Sequence, residues 1–136
     1  MIELKGAFMR GRILVVDDDP EIVKVISLGL INNGYELISA VDGNEGLKIA
    51  KQQKPVLIIM DIMMPNLEGG DAVRLLKADI TTKNIPIIFL TAVVANMPEG
   101  AEGKSINVDG HFFKAIAKPF EPENLLSEIK KLIRDK

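Results

Sequence analysis

The chain has 136 residues, a formal net charge of -2, 47% hydrophobic residues and 26% charged residues. This balance is typical of one globular domain and gives no strongly basic surface for nucleic acid. The absence of cysteine excludes disulfides, thiolate metal sites and thiol nucleophiles, and the apolar stretches are too short for a membrane helix. We expect a cytoplasmic domain over 11–136. The residues at 1–10 are a native extension, the result of an alternative start before Met9, or a cloning remnant.

The first predicted unit is a strand followed by a helix. "RILVVD" at 12–17 is a β-branched apolar run that predicts a buried parallel strand. Asp19 is a plausible N-cap and Pro20 suits the first helical position. Apolar residues then recur at helical spacing until Asn33-Gly34 interrupts them. "YELISA" at 35–40 predicts the second strand.

The same unit repeats in the middle of the chain. Asp42 and Glu45 form a capping-box-like pair that predicts the start of the second helix. "PVLIIMD" at 55–61 predicts a third strand, because it is a short apolar run with one acid at its end. After this strand, apolar residues at helical spacing predict a third helix near 68–79.

The last part of the chain continues the alternation. "IPIIFLT" at 85–91 predicts a fourth strand, and "FFKAIAK" near 112–118 predicts a weaker fifth strand with an amphipathic helix after it. Five strand and helix units with short connections predict a doubly wound α/β domain with a five-stranded parallel sheet. In such sheets the functional site lies beyond the carboxyl ends of the strands.

Polar residues gather at those predicted carboxyl ends. They are Asp17, Asp18 and Asp19 after the first strand, Asp61 after the third, Thr91 after the fourth and Lys118 after the fifth. Carboxylates brought together repel one another, and a bound cation relieves that repulsion. Oxygen ligands that are too few for a calcium cage favour Mg²⁺, and Mn²⁺ could substitute. Asp19 is better explained as a helix cap.

The remaining polar groups predict a phosphoryl site. The Lys118 ammonium and the Thr91 hydroxyl could hold a group with several anionic oxygens beside the metal. Asp61 would then be the nucleophile, attacking phosphorus to give an acyl phosphate. The metal and Lys118 would offset the cost of burying its charge.

Four motifs carry a family resemblance. They are "ILVVDDDP", "MDIMMP" followed by Gly69, "FLTA" and "KPF" at 118–120, each at the expected strand end. With these motifs the chain resembles the receiver domains of bacterial two-component response regulators over roughly 11–135. The resemblance implies a flavodoxin-like (βα)5 fold with strand order 2-1-3-4-5.

The resemblance also implies roles for single residues. Asp61 would be the phosphoacceptor and a metal ligand, Asp18 a direct Mg²⁺ ligand, Asp17 an acid acting through metal-bound water, and Met63 a ligand through its backbone carbonyl. Thr91 and Lys118 would contact the phosphoryl oxygens, and Lys118-Pro119 would be a cis peptide.

The implied partners follow from the family. A sensor histidine kinase or a histidine phosphotransfer protein would supply the phosphoryl group, and the domain would catalyse its own phosphorylation and dephosphorylation. An output protein or domain that the sequence does not name would read the change. We expect no direct binding of nucleic acid and no membrane contact, and homodimer formation stays open.

The sequence departs from the family pattern in two places. The segment between Thr91 and Lys118 is several residues longer than usual, and "NMPEGAEGKS" within it has the composition of a loop. Ala115 stands where the family usually has Tyr or Phe, while Phe112 and Phe113 are interpreted as core residues. We therefore predict a response carried by the loop after Thr91, without an aromatic rotation. Met63 and Val93 are apolar and cannot orient a water, which predicts a long-lived aspartyl phosphate.

Other readings compete with this one. A phosphatase of the haloacid dehalogenase type needs a second Asp two residues after the nucleophile, where this chain has Met63. A flavin carrier needs a hydroxyl- and glycine-rich loop after the first strand, where this chain has three acids. The main alternative is a phosphorylation-independent module of the same fold that binds proteins.

Overall fold

The computed structural model describes residues 3–4, 7–8, 11–62, 69–91, 105–108, 110–118 and 120–133. A short antiparallel hairpin, β1 (Glu3–Leu4) and β2 (Ala7–Phe8), precedes the main sheet. The main sheet contains β3 (Gly11–Val16), β4 (Tyr35–Ala40), β5 (Leu57–Asp61), β6 (Ile87–Thr91), β7 (Ser105–Val108) and β8 (His111–Ala117). The helices among the described residues are α1 (Pro20–Asn32), α2 (Gly43–Gln53), α3 (Gly69–Ala78) and α4 (Pro122–Ile133).

The order of the main sheet is β4-β3-β5-β6-β8-β7. The first five of these strands are mutually parallel, so the α/β fold predicted from the sequence and the 2-1-3-4-5 order implied by the resemblance are confirmed. β5 is buried along its whole length. A continuous apolar run such as "LIIM" forms a strand that can be covered on both faces.

The structure adds a sixth strand that the sequence analysis does not include. β7 pairs antiparallel with β8, with Val108 opposite His111, and the backbone N–H of Gly110 donates to Asn107 Oδ1 over 2.8 Å. Gly110 has φ +88°, which suits glycine. Asp109-Gly110 is a hairpin signal between two apolar runs, and it could have predicted this strand.

Helices cover both faces of the sheet, as the alternation predicts. Side chains of β3 alternate between two apolar clusters, so Leu14 and Val16 pack on one face while Ile13 and Val15 pack on the other. The first cluster includes residues of α2, α3 and β7, and the second includes residues of α1 and α4. We call the second cluster the α1/α4 cluster; its buried helical members are Ile26, Leu30, Leu125 and Ile129.

Two helix starts follow the predicted capping residues. The Asp19 side chain accepts from the backbone N–H of Glu21 over 2.9 Å, and Pro20 opens α1. The Asp42 side chain accepts from the Glu45 N–H over 2.9 Å, and the Glu45 carboxylate accepts in return from the Val41 N–H over 2.8 Å. Both capping side chains therefore stabilise the first turn of a helix.

Three apolar residues that contribute to the helical periodicity of the sequence are not buried in the structure. Val25, Leu75 and Leu132 lie at the borders of their stripes and are about half exposed, because an apolar stripe wider than its contact leaves its edge in water. Among the described residues, no helix combines the length and apolarity needed to cross a membrane.

Candidate functional site

The site forms where parallel strands end at one edge of the sheet. Asp17 directly follows β3, Asp61 is the last residue of β5, and Lys118 directly follows β8. β3 and β5 are neighbours in the sheet, while β6 lies between β5 and β8. The long Lys118 side chain spans that separation and meets both acids.

Lys118 contacts two buried carboxylates. Its Nζ lies 3.1 Å from Asp61 Oδ2, to which it donates a hydrogen bond, and 3.1 Å from Asp17 Oδ2 as an ion pair. Asp17 is 2% exposed and Asp61 is 7% exposed. One positive charge is therefore shared by two acids that are largely withdrawn from water.

Backbone contacts fix the position of Asp17. Its N–H donates to the backbone oxygen of Ala40 over 3.0 Å, and its Oδ1 accepts from the Asp19 N–H over 2.9 Å. Its Oδ2 is the one buried side-chain oxygen or nitrogen among the described residues that lacks a hydrogen bond of good geometry. The ion pair with the Lys118 ammonium at 3.1 Å compensates this oxygen in part.

Burial and charge shift two pKa values in this cluster. Burial raises the pKa of Asp17, and the nearby Asp61 charge adds to the rise, although the Asp19 N–H and Lys118 oppose it. Burial alone would lower the pKa of Lys118, but contacts with Asp17 and Asp61 outweigh that effect and raise it. The ammonium is therefore firmly charged, while Asp17 is not fully compensated.

The acids have the arrangement of a hard-cation site. Asp17, Asp18 and Asp61 each offer one carboxylate oxygen within 4.8 Å of the others, and Asp18 is exposed to solvent. An all-oxygen set that is partly open to water suits Mg²⁺, which keeps several water ligands. The residues present therefore fit the metal.

Several residues predicted from the sequence to belong to the site lie partly or wholly outside the described part of the chain. Thr91 ends β6, and its backbone is paired with Ala117, the residue before Lys118, but its side chain lies outside the described part of the chain. Met63, Val93 and Pro119 also lie outside it, and so does the predicted cis peptide bond. Asp19 acts as a helix cap, as its position predicted.

The aromatic residues near Lys118 occupy different environments. Phe113 is buried on the same face of β8 as Ala115, two residues away, and its ring meets Phe89 edge to face with centroids 5.8 Å apart. Phe112 is 71% exposed. The interpretation of Phe113 as a core residue is confirmed. That of Phe112 is wrong, because Phe112 lies opposite Asn107 of β7 near the start of β8, before the pairing with β6 begins at Lys114.

Residues 13–130 match the family model described as the response regulator receiver domain. The chain belongs to this family. Receiver domains are signalling domains that bind Mg²⁺ in an acidic site, and this chain has a cluster of three carboxylates that could hold a metal ion. The comparisons give no support to a phosphorylation-independent binding module.

The curated relatives are longer proteins. The chain is 35% identical over 123 residues to the DNA-binding dual master transcriptional regulator RpaA of Synechocystis, covering 90% of this chain and 49% of that protein. It is 32% identical over 132 residues to the DNA-binding response regulator MtrA of Mycolicibacterium smegmatis, covering 93% of this chain and 52% of that protein. The receiver domain thus spans about half the length of these relatives.

A solved receiver domain resembles this chain in fold. The receiver domain of the sensor histidine kinase PA1611 from Pseudomonas aeruginosa superposes with a TM-score of 0.77 and 29% identity. The match covers 92% of this chain and 98% of that one, and that structure holds a magnesium ion in its active site cleft.

These relatives correct the predicted partners. The exclusion of nucleic acid was wrong at the level of whole regulators, because RpaA and MtrA are DNA-binding proteins. The exclusion rested on the charge balance of this domain, and that balance contains no information about the other half of a relative's length. No feature of the described residues supports direct DNA binding by this chain itself.

Proposed function

We propose that this receiver domain accepts a phosphoryl group from a histidine kinase onto Asp61 and thereby changes its binding to other proteins in the cytoplasm. The observation that carries this proposal is the position of Asp61: its carboxylate is 7% exposed and lies 3.1 Å from the Lys118 ammonium. A buried acid at a strand end, beside an ammonium and two further acids, is equipped for chemistry on an anionic group. We assign the domain to residues 11–136, with 1–10 as an extension.

The reaction joins an Asp61 oxygen to phosphorus. The new O–P bond forms as the N–P bond of the donor phosphohistidine breaks, and the electron pair of that bond leaves with the imidazole. The product is an acyl phosphate on Asp61. Lys118 neutralises charge on the transferred oxygens from the position that it already occupies beside the carboxylate.

The acids supply the metal ligands in this proposal. Asp17, Asp18 and Asp61 would hold Mg²⁺ together with the backbone carbonyl of Met63, and Mn²⁺ could replace it because it also prefers oxygen ligands. When bound, the ion supplies positive charge to phosphoryl oxygens and relieves the repulsion among the acids. The Asp17 oxygen that lacks a hydrogen bond supports this arrangement.

Two further residues complete the proposed site. Thr91 would donate its hydroxyl to a phosphoryl oxygen, since its backbone lies beside Ala117 and therefore next to the Lys118 segment. Met63 and Val93 provide no polar group that could orient an attacking water. The domain would therefore catalyse its own phosphorylation readily and its own dephosphorylation slowly.

Labelling by acetyl phosphate tests the proposal. The purified domain is incubated with acetyl phosphate and Mg²⁺, and the intact mass is measured for wild type, Asp61→Ala and Asp71→Asn. Asp71 is an exposed acid in the first turn of α3 and serves as the matched control. Wild type and Asp71→Asn should each gain one phosphoryl group only when Mg²⁺ is present. Equal labelling of Asp61→Ala, or no labelling of wild type, would refute the function.

A further inference from the structure

One aromatic side chain packs between the two helices that flank the site. Phe120 lies two residues after Lys118, is partly buried and packs against the α1/α4 cluster. It lines a groove with Val25 and Gly29 of α1 and with Leu126 of α4. The groove encloses a cavity of about 10 Å³, which is barely large enough for one water and has mostly apolar walls.

This packing bears on Lys118 because a lysine side chain has a flexible stem. Where its Nζ lies depends on where its backbone is held. On one side, Ala117 is paired with Thr91 in the sheet. On the other side, the described residues between Lys118 and the start of α4 are Phe120 and Glu121. Phe120 packs against the α1/α4 cluster, whereas Glu121 is exposed.

The same helix, α1, also begins at the acids. The loop of Asp17 and Asp18 leads directly to the Asp19 cap of α1, and Phe120 packs against that helix farther along. The acid loop and the lysine loop therefore share one support. If the ring of Phe120 is removed, the sheet still holds Ala117, but the segment after Lys118 loses its anchor.

We propose that Phe120 is a positioning residue that holds Lys118 beside Asp61 and Asp17. This inference rests on the proposed function, because it assigns Phe120 a role through the lysine of the phosphoryl site. The ring does not touch the reacting atoms. It fixes the backbone from which the Lys118 ammonium reaches the two carboxylates at 3.1 Å.

The role predicts opposite effects on two measurements. A displaced Lys118 slows phosphorylation, since a loss of alignment at the reacting centre reduces the rate strongly. The same displacement does not weaken Mg²⁺ binding, and it can strengthen it, because the ammonium and the metal are cations that compete for the same carboxylates. A general loss of structure would weaken both.

The experiment uses variants of the whole chain. Phe120→Leu shortens the ring while keeping an apolar side chain, and Phe120→Ala removes it. Leu76→Ala is the control, because Leu76 of α3 is 1% exposed in the apolar cluster on the other face of the sheet and does not line the groove that holds Phe120. The rate of labelling by acetyl phosphate is measured at saturating Mg²⁺, and Mg²⁺ affinity is measured by titration without any phosphodonor.

The proposal expects both Phe120 variants to be labelled roughly tenfold or more slowly with Mg²⁺ affinity equal to wild type or higher. Leu76→Ala should be less stable yet labelled at the wild-type rate. A wild-type rate in Phe120→Leu, or losses of rate and Mg²⁺ affinity that follow stability as in Leu76→Ala, would overturn the positioning role. Absence of labelling in wild type would instead refute the proposed function, so the two failures are distinguishable.

Discussion

Lys118 Nζ lies 3.1 Å from Asp61 Oδ2, although β6 separates β5, which ends at Asp61, from β8, which Lys118 follows. The contact joins residues 57 positions apart in the chain, and it links the proposed nucleophile to the cation that would neutralise the transferred group. Because the same ammonium also pairs with Asp17, removing Lys118 leaves two largely buried carboxylates without this counter-charge.

Replacing the lysine should separate metal binding from chemistry. Lys118→Met keeps the length of the side chain but removes its charge. We expect labelling by acetyl phosphate to slow by roughly 100-fold, as when one charge-stabilising donor is lost, while Mg²⁺ still binds. Lys114→Met is the control, because Lys114 lies on β8, the strand that precedes Lys118. Away from the site, its ammonium pairs with the Glu128 carboxylate over 3.4 Å. Equal rates in the two variants would contradict the role of Lys118.

The raised pKa of Asp17 predicts how stability depends on pH. The folded domain holds the Asp17 proton more tightly than the unfolded chain does, in which the pKa of this carboxyl group is 3.8. The Asp17 contribution to the free energy of unfolding therefore decreases as pH rises from 3.8 through the raised pKa. Asp17→Asn should remove this loss and make the metal-free domain more stable at neutral pH.

Urea unfolding with and without Mg²⁺ checks this expectation. At pH 7 without metal, Asp17→Asn should unfold at higher urea than wild type, and Mg²⁺ should stabilise wild type more than the variant. Lys118 gives a loss in the same direction at high pH, because its raised pKa gives a contribution to stability that is complete below 10.5 and is lost as pH rises through the raised value. A metal-free Asp17→Asn domain less stable than wild type at pH 7 would show that Asp17 is compensated.

A buried threonine should contribute to stability away from the site. Thr82 is 1% exposed, and its hydroxyl donates to the backbone oxygen of Leu76 in α3 over 2.7 Å. Thr82→Val keeps the shape but removes the donor, so we expect a loss of about 1–2 kcal/mol in the free energy of unfolding. Thr81→Val is the matched control, since the Thr81 hydroxyl bonds to Asp79 at the exposed surface. A loss in Thr81→Val as large as in Thr82→Val would contradict this account of burial.

The response to phosphorylation should not require rotation of an aromatic side chain. Ala115 has no ring, and Phe113 is held between Phe89 and the Lys77 ammonium, which lies 5.5 Å from its ring centroid. We expect a phosphoryl mimic to change amide exchange within 92–117 while the NMR signals of the Phe113 ring keep their positions. Unchanged exchange across 92–117 would refute the prediction.

The phosphorylated domain should be long-lived. Met63 and Val93 are apolar at the positions two residues after Asp61 and after Thr91, so neither can orient water toward phosphorus. Met63→Asn should shorten the lifetime of the labelled protein after acetyl phosphate is removed. A wild-type lifetime of only seconds without a phosphatase would contradict the prediction.

Much of the fold followed from local pattern. The apolar runs gave β4 over 35–40 as predicted, while β3 begins and ends one residue earlier than predicted, which leaves Asp17 just beyond the strand. The capping residues Asp19 and Asp42 also lie where their side-chain chemistry predicts. Strand order is a long-range property, so the order 2-1-3-4-5 came from the resemblance and not from the periodicity.

The rest depended on contacts that local pattern does not contain. The sequence placed Asp17, Asp61 and Lys118 at one edge, but the sharing of one ammonium by two carboxylates needs the distances. Phe120 was noted only as part of a motif, since its packing against α1 joins segments about a hundred residues apart. β7 was missed because "NMPEGAEGKS" at 96–105, which runs directly into this short strand, has a loop-like composition.

Magnesium titration followed by ¹H–¹⁵N NMR tests the central claim most directly, namely that the carboxylates of Asp17, Asp18 and Asp61 form a site for a divalent cation. We predict that the amides of Asp18, Asp19 and Ile62 shift and saturate at millimolar Mg²⁺, and that Asp17→Asn and Asp61→Asn greatly reduce these shifts. Spectra that stay unchanged in wild type, or shifts of the same size in Asp61→Asn, would contradict it.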